Sequence, residues 1–309
     1  MSRRKKSKKK WPKILGIIVA LFIVAGGVLA FSVYRSLNSA VDTMHTPIDR
    51  DKSDKRDKQV TLDKKEPFSV LMLGVDERKG DRGRSDSMIV MTVNPEKKSV
   101  KMLSIPRDTR TEIVGKGTQD KINHAYAFGG VEMSMDTVEN FLDIPIDYYM
   151  KINMEGFKDV VDAVGGVTVD NQLDFTYEGV HFEKGPLTLN GQDALKYSRM
   201  RYDDPNGDFG RQSRQRQVIE AVVKEGASFS SLSNYGDILK SLSDNIQTNL
   251  TFNEMVDIQK NYRTAAGDIE QLNIQGTGTK IGGVYYLQVN DDEKKRLQNM
   301  MQEHLVLKN

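Results

Sequence analysis

The spacing of hydrophobic positions predicts several strands soon after residue 67. Phe68–Asp76 (FSVLMLGVD) is a nearly continuous apolar run, which is typical of a strand buried on both faces. Ser87–Pro95 is a second such run, and a third begins at Ser99 and is ended by Pro106. Because few residues separate the second run from the third, the two predict a hairpin.

Apolar residues at helical spacing, such as Val131, Met135 and Val138, predict helices farther along. The predicted helices are Val131–Leu142, Phe157–Val164, Asn190–Met200, Phe209–Lys224, Asn253–Thr264 and Asp291–Leu305. Further strands are predicted at Tyr148–Ile152, Val167–Val169, Ile269–Ile274 and Val284–Val289. Strands and helices are mixed without strict alternation. The pattern therefore predicts an α/β (α+β) fold with a central mixed, largely antiparallel sheet flanked by helices.

The N-terminal residues predict a membrane anchor. Met1–Lys10 is almost entirely basic, and Ile14–Val33 contains no charged residue. The second stretch is long enough to cross a bilayer as a helix, and the basic flank places the N-terminus in the cytoplasm. A cleaved signal peptide is the alternative, but its apolar region is usually shorter and ends in a small-residue site. We therefore expect a single-pass type II protein of the cell membrane.

Four regions follow from this reading: a tail (1–13), a transmembrane anchor (14–33), an extracellular stalk (34–66) and an extracellular domain (67–309). The third region is polar and mixed in charge, which predicts a solvated stalk. The chain has no cysteine, so the exported domain must rely on its core. Much of the positive charge lies in the tail, which leaves the exported part acidic.

An arginine cluster stands out against that acidic background, in the segment KYSRMRYDDPNGDFGRQSRQRQ. Its members are Arg199, Arg201, Arg211, Arg214 and Arg216. Arginine is typical where a planar fork binds two oxygens of a carboxylate or phosphate. Neutralisation of the cluster by the aspartates within the segment, in surface pairs that contribute little, is the alternative that remains open.

The second half of this segment predicts a helix with an inward-facing basic end. Arg211, Arg214 and Gln215 share one helical face, and the later members of that face are apolar. Asp208 is the expected N-cap, and Arg216 is expected to be a solvated residue on another face. Because a helix N-terminus attracts anions, we expect the inward arginines to contribute to an anion site.

Three further strand ends carry charged residues. Arg107 follows a strand directly, where ligands of α/β folds often bind, although an ion pair with Asp108 would explain it equally well. Asp76 ends the first strand and Asp86 begins the next, so the two would lie together at the base of a loop. Two carboxylates there could hold Mg²⁺ or Mn²⁺, or could simply be solvated. Arg84 could neutralise Asp86 or join the anion site.

Several enzyme classes are excluded by missing motifs. The chain has no G-x-S-x-G, no P-loop and no G-x-G-x-x-G after a strand. Without cysteine and with scattered histidines, a zinc site is not supported. His124, in KINHAYAFGG, is expected to be a packed helix residue, while Lys121 in the same run could reach a pocket.

Six sequence blocks, in this order, resemble the LytR-CpsA-Psr family, and within it the teichoic acid transferases. They are VLMLGVDER…GRSDSMIV, LSIPRDT, KINHAYAFGG, VDAVGGVTV, LNGQDALKYSRMR and GDFGRQSRQRQ. The resemblance covers about residues 68–223. It implies a sheet between helices with a hydrophobic lipid pocket. It also implies transfer of an anionic glycopolymer, wall teichoic acid above all, from a polyprenyl diphosphate carrier to a peptidoglycan sugar hydroxyl.

The resemblance also implies roles for individual residues. The metal-binding aspartates of the family match Asp76 and Asp86, with Mg²⁺ or Mn²⁺ as the cofactor. Its diphosphate-binding residues match Arg84, Arg107, Lys121, Arg199, Arg201, Arg211, Arg214 and Gln215. Arg107, Asp86 and Arg211 are the expected catalytic residues of a Mg-dependent phosphotransferase.

Some alternatives remain open at the level of the sequence. Met133, Met135 and Met154 could line the lipid pocket or could be ordinary core residues. A hydrolase that uses water at the same site, and a non-enzymatic receptor for an anionic lipid or wall polymer, are the two other functions that the pattern allows.

Overall fold

The structure is a computed structural model that describes residue 35 and residues 38–76, 83–228 and 243–307. Helix α1 covers residues 38–44. The strands are β1 (Phe68–Val75), β2 (Ser85–Asn94), β3 (Ser99–Ser104), β4 (Arg110–Ile113), β5 (Thr118–Lys121), β6 (Tyr148–Ile152), β7 (Val167–Asn171), β8 (Phe175–Tyr177), β9 (Val180–Phe182), β10 (Gly185–Leu189), β11 (Ile246–Thr248), β12 (Ile269–Leu272), β13 (Thr277–Ile281) and β14 (Val284–Gln288). The other helices are α2 (His124–Leu142), α3 (Met154–Ala163), α4 (Gly191–Arg199), α5 (Gly207–Ser228), α6 (Phe252–Asn261) and α7 (Asp291–Leu305).

Six strands form the central sheet, in the order β11-β6-β1-β2-β3-β12. The β1–β2 and β2–β3 pairs are antiparallel hairpin pairs, and β11 is antiparallel to β6. In contrast, β6 runs parallel to β1 and β12 runs parallel to β3. The predicted mixed sheet is therefore confirmed. The end of β1, the start of β2 and the end of β3 meet at one end of the sheet, which brings the expected site residues together.

Helices cover both faces of the sheet. On one face, β1 residues such as Leu71 and Leu73 pack with Met135 of α2 and Leu297 of α7. Met135 is fully buried there, so it is a core residue and not part of a lipid pocket. On the other face, Ile89 and Met102 pack in a second cluster toward α5 and α6. Burial on both faces explains why β1 and β2 read as continuous apolar runs.

A third core joins α3, α4 and α5 to the small strands β7–β10. Phe175, Phe182 and Tyr197 lie at its centre, with ring centroids 4.9–5.9 Å apart. Helix α5 therefore has packed neighbours on two sides, the sheet and this third core. That double packing differs from the single inward face that the sequence predicts.

Several predicted elements agree with the structure, and some do not. The predicted bounds Tyr148–Ile152 and Asp291–Leu305 are those of β6 and α7. Helix α2, however, begins at His124 and is kinked at Gly130, whose φ is 68°. The three-residue edge strand β11 of the central sheet is missing from the prediction. Strands β4, β5, β8, β9, β10 and β13 are missing as well. They form two-stranded ribbons that are partly or largely exposed, so many of them lack the apolar alternation that marks a half-buried strand.

The described residues before β1 are docked on the domain instead of forming a solvated stalk. Val41 and Leu62 are buried. Arg56 donates from Nε and Nη2 to the Asp147 carboxylate, at 2.5 and 2.8 Å. The expectation of a solvated stalk is therefore wrong for residues 38–66. Their charge-rich composition misled the prediction, because part of the charge forms partly buried ion pairs.

The predicted membrane anchor cannot be compared with the fold. Residues 1–13 and 14–33 lie outside the described residues. Within the part that the structure does describe, none of the helices combines the length and apolarity that crossing a bilayer requires. The membrane topology therefore stays a prediction.

Candidate functional site

The end of β1 and the start of β2 place two aspartates at the same end of the sheet. Val75 pairs with Ser85, and the register shifts next to Gly74. A Cβ on Gly74 would lie 3.0 Å from the Ser87 Cβ, so a glycine suits this close approach. Asp76 directly follows β1, and Asp86 is the second residue of β2, as the sequence predicts.

Arg107 is held against Asp86 at the same end of the sheet. Its Nη1 lies 2.6 Å from the Asp86 Oδ1, and its Nε lies 3.9 Å from the Asp108 Oδ2. Burial alone would lower the pKa of Arg107. The hydrogen bond that Arg107 donates to Asp86 and the charges of Asp86, Asp208 and Asp108 outweigh burial, so the pKa is raised. The guanidinium is thus a permanent cation at the strand end.

Arg211 approaches the same point from helix α5. Its Nη2 lies 2.7 Å from the Asp208 Oδ1 and 3.4 Å from the Asp86 backbone oxygen. Burial lowers the pKa of Arg211, and the nearby cations Arg107 and Arg201 lower it further against the effect of Asp208. The Arg211 Nε is buried and has no hydrogen-bond partner among the described residues. An additional anion here would stabilise the charge.

Asp208 pairs with its neighbours and does not act as the N-cap that the sequence predicts. Helix α5 begins at Gly207, so Asp208 lies inside its first turn. In addition to its ion pair with Arg211, Asp208 accepts a hydrogen bond from the Gln212 Nε2 at 2.9 Å. The Arg201 Nε lies 3.7 Å from the Asp208 Oδ1. Asp208 therefore gathers basic side chains around the site.

Lys121 extends the charged row away from Arg107. Its Nζ lies 2.6 Å from the Asp108 Oδ1. His124 follows three residues later in the sequence, and its Nδ1 lies 2.7 Å from the Asp120 Oδ2. Burial raises the pKa of Asp120, but hydrogen bonds from His124 and the Lys121 backbone outweigh it and lower the pKa. His124 is therefore half-buried next to a carboxylate and is not a packed apolar-face residue.

Two of the predicted anion ligands lie at the exposed rim. Arg84 is exposed, and the Arg199 Nη1 lies 3.4 Å from the Glu178 Oε1, with both side chains over 40% exposed. Gln215 lies nearer the sheet, where its Oε1 accepts a hydrogen bond from the Ser87 Oγ at 3.1 Å. The two rim arginines are therefore not locked into the ion-paired centre.

Arg214 faces inward as predicted, but its donors are used within the protein. Its Nη1 lies 2.5 Å from the Asp204 Oδ2, and its Nε and Nη2 donate to the backbone oxygens of Tyr197 and Met200. Both side chains of the Arg214–Asp204 pair are almost fully buried. The geometry supports a role for Arg214 in ordering the loop between α4 and α5.

Arg216 is the residue that sequence reasoning placed wrongly. It is only 3% exposed, although a solvated position was expected. Its Nε donates to the Gln271 Oε1 at 3.1 Å. The signal was a second apolar stripe on α5: Ile219 and Val223 follow Arg216 at i+3 and i+7 and pack against the second core cluster.

The aspartate pair is the candidate metal site. The described residues hold no group of three or more metal-ligating side chains. Mg²⁺ needs fewer, because it is usually held by one or two carboxylates and completes its shell with water and substrate phosphate oxygens. Asp76 and Asp86, at adjacent strand ends next to a basic cluster, fit that requirement.

A cavity of about 430 Å³ lies at the other end of the sheet, between residues 45–60 and the start of β6. Its lining includes His45, Arg50, Tyr148 and Glu254. None of the expected site residues contributes to it. The arginine cluster is therefore a partly open surface site, separate from this cavity.

Known proteins resemble this chain over most of its length. The model of the LytR_cpsA_psr family matches residues 31–303. The polyisoprenyl-teichoic acid–peptidoglycan teichoic acid transferase TagU of Bacillus subtilis (strain 168) is 52% identical over 303 residues, which is 98% of each chain. The crystal structure of B. subtilis TagU has a TM-score of 0.65 and 51% identity, over 79% of this chain and 98% of that one.

A structure of TagT bound to LIIa-WTA has a TM-score of 0.73 and 32% identity, over 85% of this chain and all of that one. The family match also reaches well beyond the blocks that the sequence pattern identifies. It includes the docked segment before β1 and the C-terminal third.

Proposed function

The chain belongs to the LytR_cpsA_psr family, and from that membership we propose that it is a teichoic acid transferase. In this proposal it moves an anionic glycopolymer from a polyprenyl diphosphate carrier to a sugar hydroxyl of peptidoglycan. Relatives that are 52% identical over nearly the whole chain carry that activity in their names. The structural observation that carries the proposal is the convergence of Arg107 and Arg211 on Asp86.

Diphosphate fits this cluster better than a single carboxylate would. Arg107 and Arg211 approach Asp86 from two different elements, and Lys121 adds a third cation through Asp108. Arginine forks bind phosphate oxygens in pairs. A diphosphate would occupy the Arg211 donor that lacks a partner and would draw the rim residues Arg84 and Arg199 inward.

The transfer balances as the exchange of a phosphoanhydride bond for a phosphate ester bond. The acceptor hydroxyl oxygen forms a bond with the sugar-side phosphorus, and the bond from that phosphorus to the bridging oxygen breaks. The electron pair stays on the bridging oxygen, which leaves as polyprenyl monophosphate, and the hydroxyl proton passes to solvent or to a site carboxylate. Catalysis then consists of positioning and of charge stabilisation by Arg107 and Arg211.

Asp76 and Asp86 would hold the proposed Mg²⁺ or Mn²⁺. When bound, such an ion supplies positive charge that neutralises phosphate oxygens. Arg107 already binds one oxygen of Asp86, which fixes the orientation of that carboxylate and leaves its other oxygen for a metal.

The carrier lipid would lie along the second core cluster. Partly buried apolar residues border that cluster on the same side of the sheet as α5: Val70, Met72, Ile219, Val223, Met255 and Ile258. An apolar chain that leaves the arginine cluster along this face would cover them. The proposed anchor at residues 14–33 would hold the domain outside the cell membrane, next to such a lipid.

The test is a turnover assay of the full chain in detergent. The substrates are a short synthetic polyprenyl diphosphate glycan and a peptidoglycan oligomer, with Mg²⁺ or with a chelator, and the variants are Arg107→Ala and Asp86→Ala. We expect metal-dependent linked product that both variants lose. Release of glycan phosphate without an acceptor would make the protein a hydrolase. Tight binding without cleavage by the folded protein would make it a receptor.

A further inference from the structure

Arg216 is a buried cation without a counter-ion. It is 3% exposed, and its one recorded hydrogen bond runs from Nε to the neutral Gln271 Oε1. Within the described ranges, no carboxylate lies at ion-pair distance from it. Gln271 is itself fixed, because its Nε2 donates to the Glu220 Oε2 at 2.5 Å. The amide oxygen is thereby held toward Arg216.

The contrast with Arg214, two residues earlier on the same helix, makes this arrangement unusual. Arg214 has Asp204 and two backbone oxygens, which compensate for its removal from water. Burial of Arg216 is uncompensated and lowers its pKa to about 10. Buried charges are normally paired or bind a ligand. The structure therefore maintains an unfavourable charge at this position, which indicates a role other than stability.

The strand next to Gln271 carries a further polar group without a partner among the described residues. Gln271 pairs with Met102, and Ser104 follows two residues later on the same face of β3. The Ser104 Oγ is buried and has no hydrogen-bond partner among the described residues. Ser87, under Gln215, lies on the neighbouring strand β2. The ends of β2, β3 and β12 thus present polar groups beneath α5.

The direction of α5 indicates which part of a substrate would reach Arg216. Arg211, at the N-terminal end, is near Asp86. Beyond Arg216, the same face continues with Ile219 and Val223, which pack on the partly open apolar cluster. Arg216 therefore lies where the polar site changes into an apolar surface. A lipid phosphate has the same change of character between its headgroup and its chain.

We propose that Arg216 binds the lipid-side phosphate of the carrier, the one that leaves with the polyprenyl chain. This inference rests on the proposed function and assigns that site a further residue. As the bond from the sugar-side phosphorus to the bridging oxygen breaks, negative charge grows on the departing monophosphate. Arg216 neutralises that charge, and Gln271 holds the guanidinium in place.

The experiment measures binding and stability separately, with the full chain in detergent. Farnesyl monophosphate is the probe, because it carries the lipid-side phosphate and no glycan. The variant is Arg216→Met, and the matched control is Arg263→Met at an exposed arginine. We expect Arg216→Met to weaken farnesyl monophosphate binding about ten- to a hundredfold, as for loss of a charge-assisted hydrogen bond. We also expect its unfolding midpoint to stay equal or rise, because an unpaired buried charge is removed.

Each other outcome has a defined meaning. Unchanged binding by Arg216→Met overturns the inference. If Arg216→Met unfolds, Arg216→Lys and Gln271→Leu replace it: weaker binding by folded Gln271→Leu supports the inference, and wild-type binding by both variants overturns it. The proposed function fails in a different way, through a wild-type protein that transfers no glycan and is insensitive to Arg107→Ala.

Discussion

Two arginine clusters lie at opposite ends of the central sheet, and they differ in how fully their charges are paired. At the start of β1 and β6, Arg50 and Arg56 tie the N-terminal segment to the domain; we call them the clamp. At the other end, Arg107 and Arg211 meet around Asp86; we call them the anion cluster. Both clusters are partly buried, and both contain arginines with acidic neighbours.

The difference lies in the remaining donors. In the clamp, Arg56 makes a two-bond contact with Asp147, and Arg50 binds Glu139, Asp136 and the Ile146 backbone oxygen. In the anion cluster, the Arg211 Nε is buried without a partner among the described residues, and burial with like charges lowers the Arg211 pKa. A saturated cluster stabilises the fold, whereas an unsaturated one is poised to bind an anion.

The largest effect is expected from breaking the clamp. Asp147→Ala would leave Arg56 largely buried without its counter-ion and would remove the acceptor of the Ser69 backbone N–H. We expect a loss of about 3–5 kcal/mol in the free energy of unfolding. Chemical denaturation measures this loss, and the transfer rate per folded molecule should be unchanged.

The matched control for the clamp is Asp143→Ala. Asp143 pairs with Lys55 from the same N-terminal segment, but its side chain is 55% exposed. We expect it to cost less than about 1 kcal/mol. If Asp147→Ala instead slowed transfer without a loss of stability, the assignment of the clamp to the fold alone would be wrong.

The anion cluster should respond in the opposite way. Arg211→Ala removes a cation that is not fully paired, so transfer should fall about 100- to 1000-fold, as when a preorganised charge-stabilising donor is lost. The unfolding midpoint should change little, because the lowered pKa of Arg211 indicates a charge held at a cost. Steady-state transfer and thermal unfolding are the measurements. A stability loss equal to that of Asp147→Ala would remove the distinction between the clusters.

The sequence predicts the central framework because that framework leaves a periodic signal. Strands β1 and β2 are apolar runs, as expected for strands that are buried on both faces. The hairpin to β3 and the strand β6 are also predicted from the sequence. The same strands determine where Asp76, Asp86 and Arg107 lie. Their meeting at one end of the sheet is therefore predictable from the ends of the apolar runs.

Pairing of charges in three dimensions leaves no such signal. Helical spacing places Arg214 and Arg216 on different faces, but it does not show that Asp204 neutralises the first or that the second contacts Gln271. Gln271 comes from β12, 55 residues away in sequence. The docking of residues 38–66 depends on Glu139 and Asp147 in the same non-local way. Charge composition therefore predicted a solvated stalk, and helical spacing predicted a solvated Arg216, and both predictions were wrong.

His304 is a third buried basic side chain, and the pH dependence of stability shows the effect of burying a basic group that has no acidic ion-pair partner within the described part of the chain. Its Nδ1 and Nε2 lie 2.7 and 3.0 Å from the hydroxyls of Thr92 and Ser99. Burial, with the charges of Lys101 and Lys97, lowers its pKa from 6.5 to about 4.

Because the folded pKa of His304 is below the unfolded value, its contribution to stability is present above pH 6.5 and is lost as the pH falls toward 4. We expect unfolding at about pH 5 to cost about 2 kcal/mol less than at about pH 7.5 through this group. Denaturation of wild type and His304→Gln at both pH values measures the difference. An equal loss in the variant would assign the acid sensitivity to other groups.

The smallest effect is expected at the rim, where Arg199 belongs to neither type of cluster. Its pair with Glu178 has a separation of 3.4 Å and both side chains are over 40% exposed, so Glu178→Ala should change the free energy of unfolding by less than about 0.5 kcal/mol. If Arg199 leaves Glu178 to bind diphosphate, removal of the competing carboxylate should tighten substrate binding about twofold, since screened surface charges interact weakly. The KM for the lipid-linked glycan, measured at low and high salt, reports this change, which should disappear at high salt. A rise in KM would mean that Glu178 positions Arg199 for the substrate and that the rim is preorganised like the anion cluster.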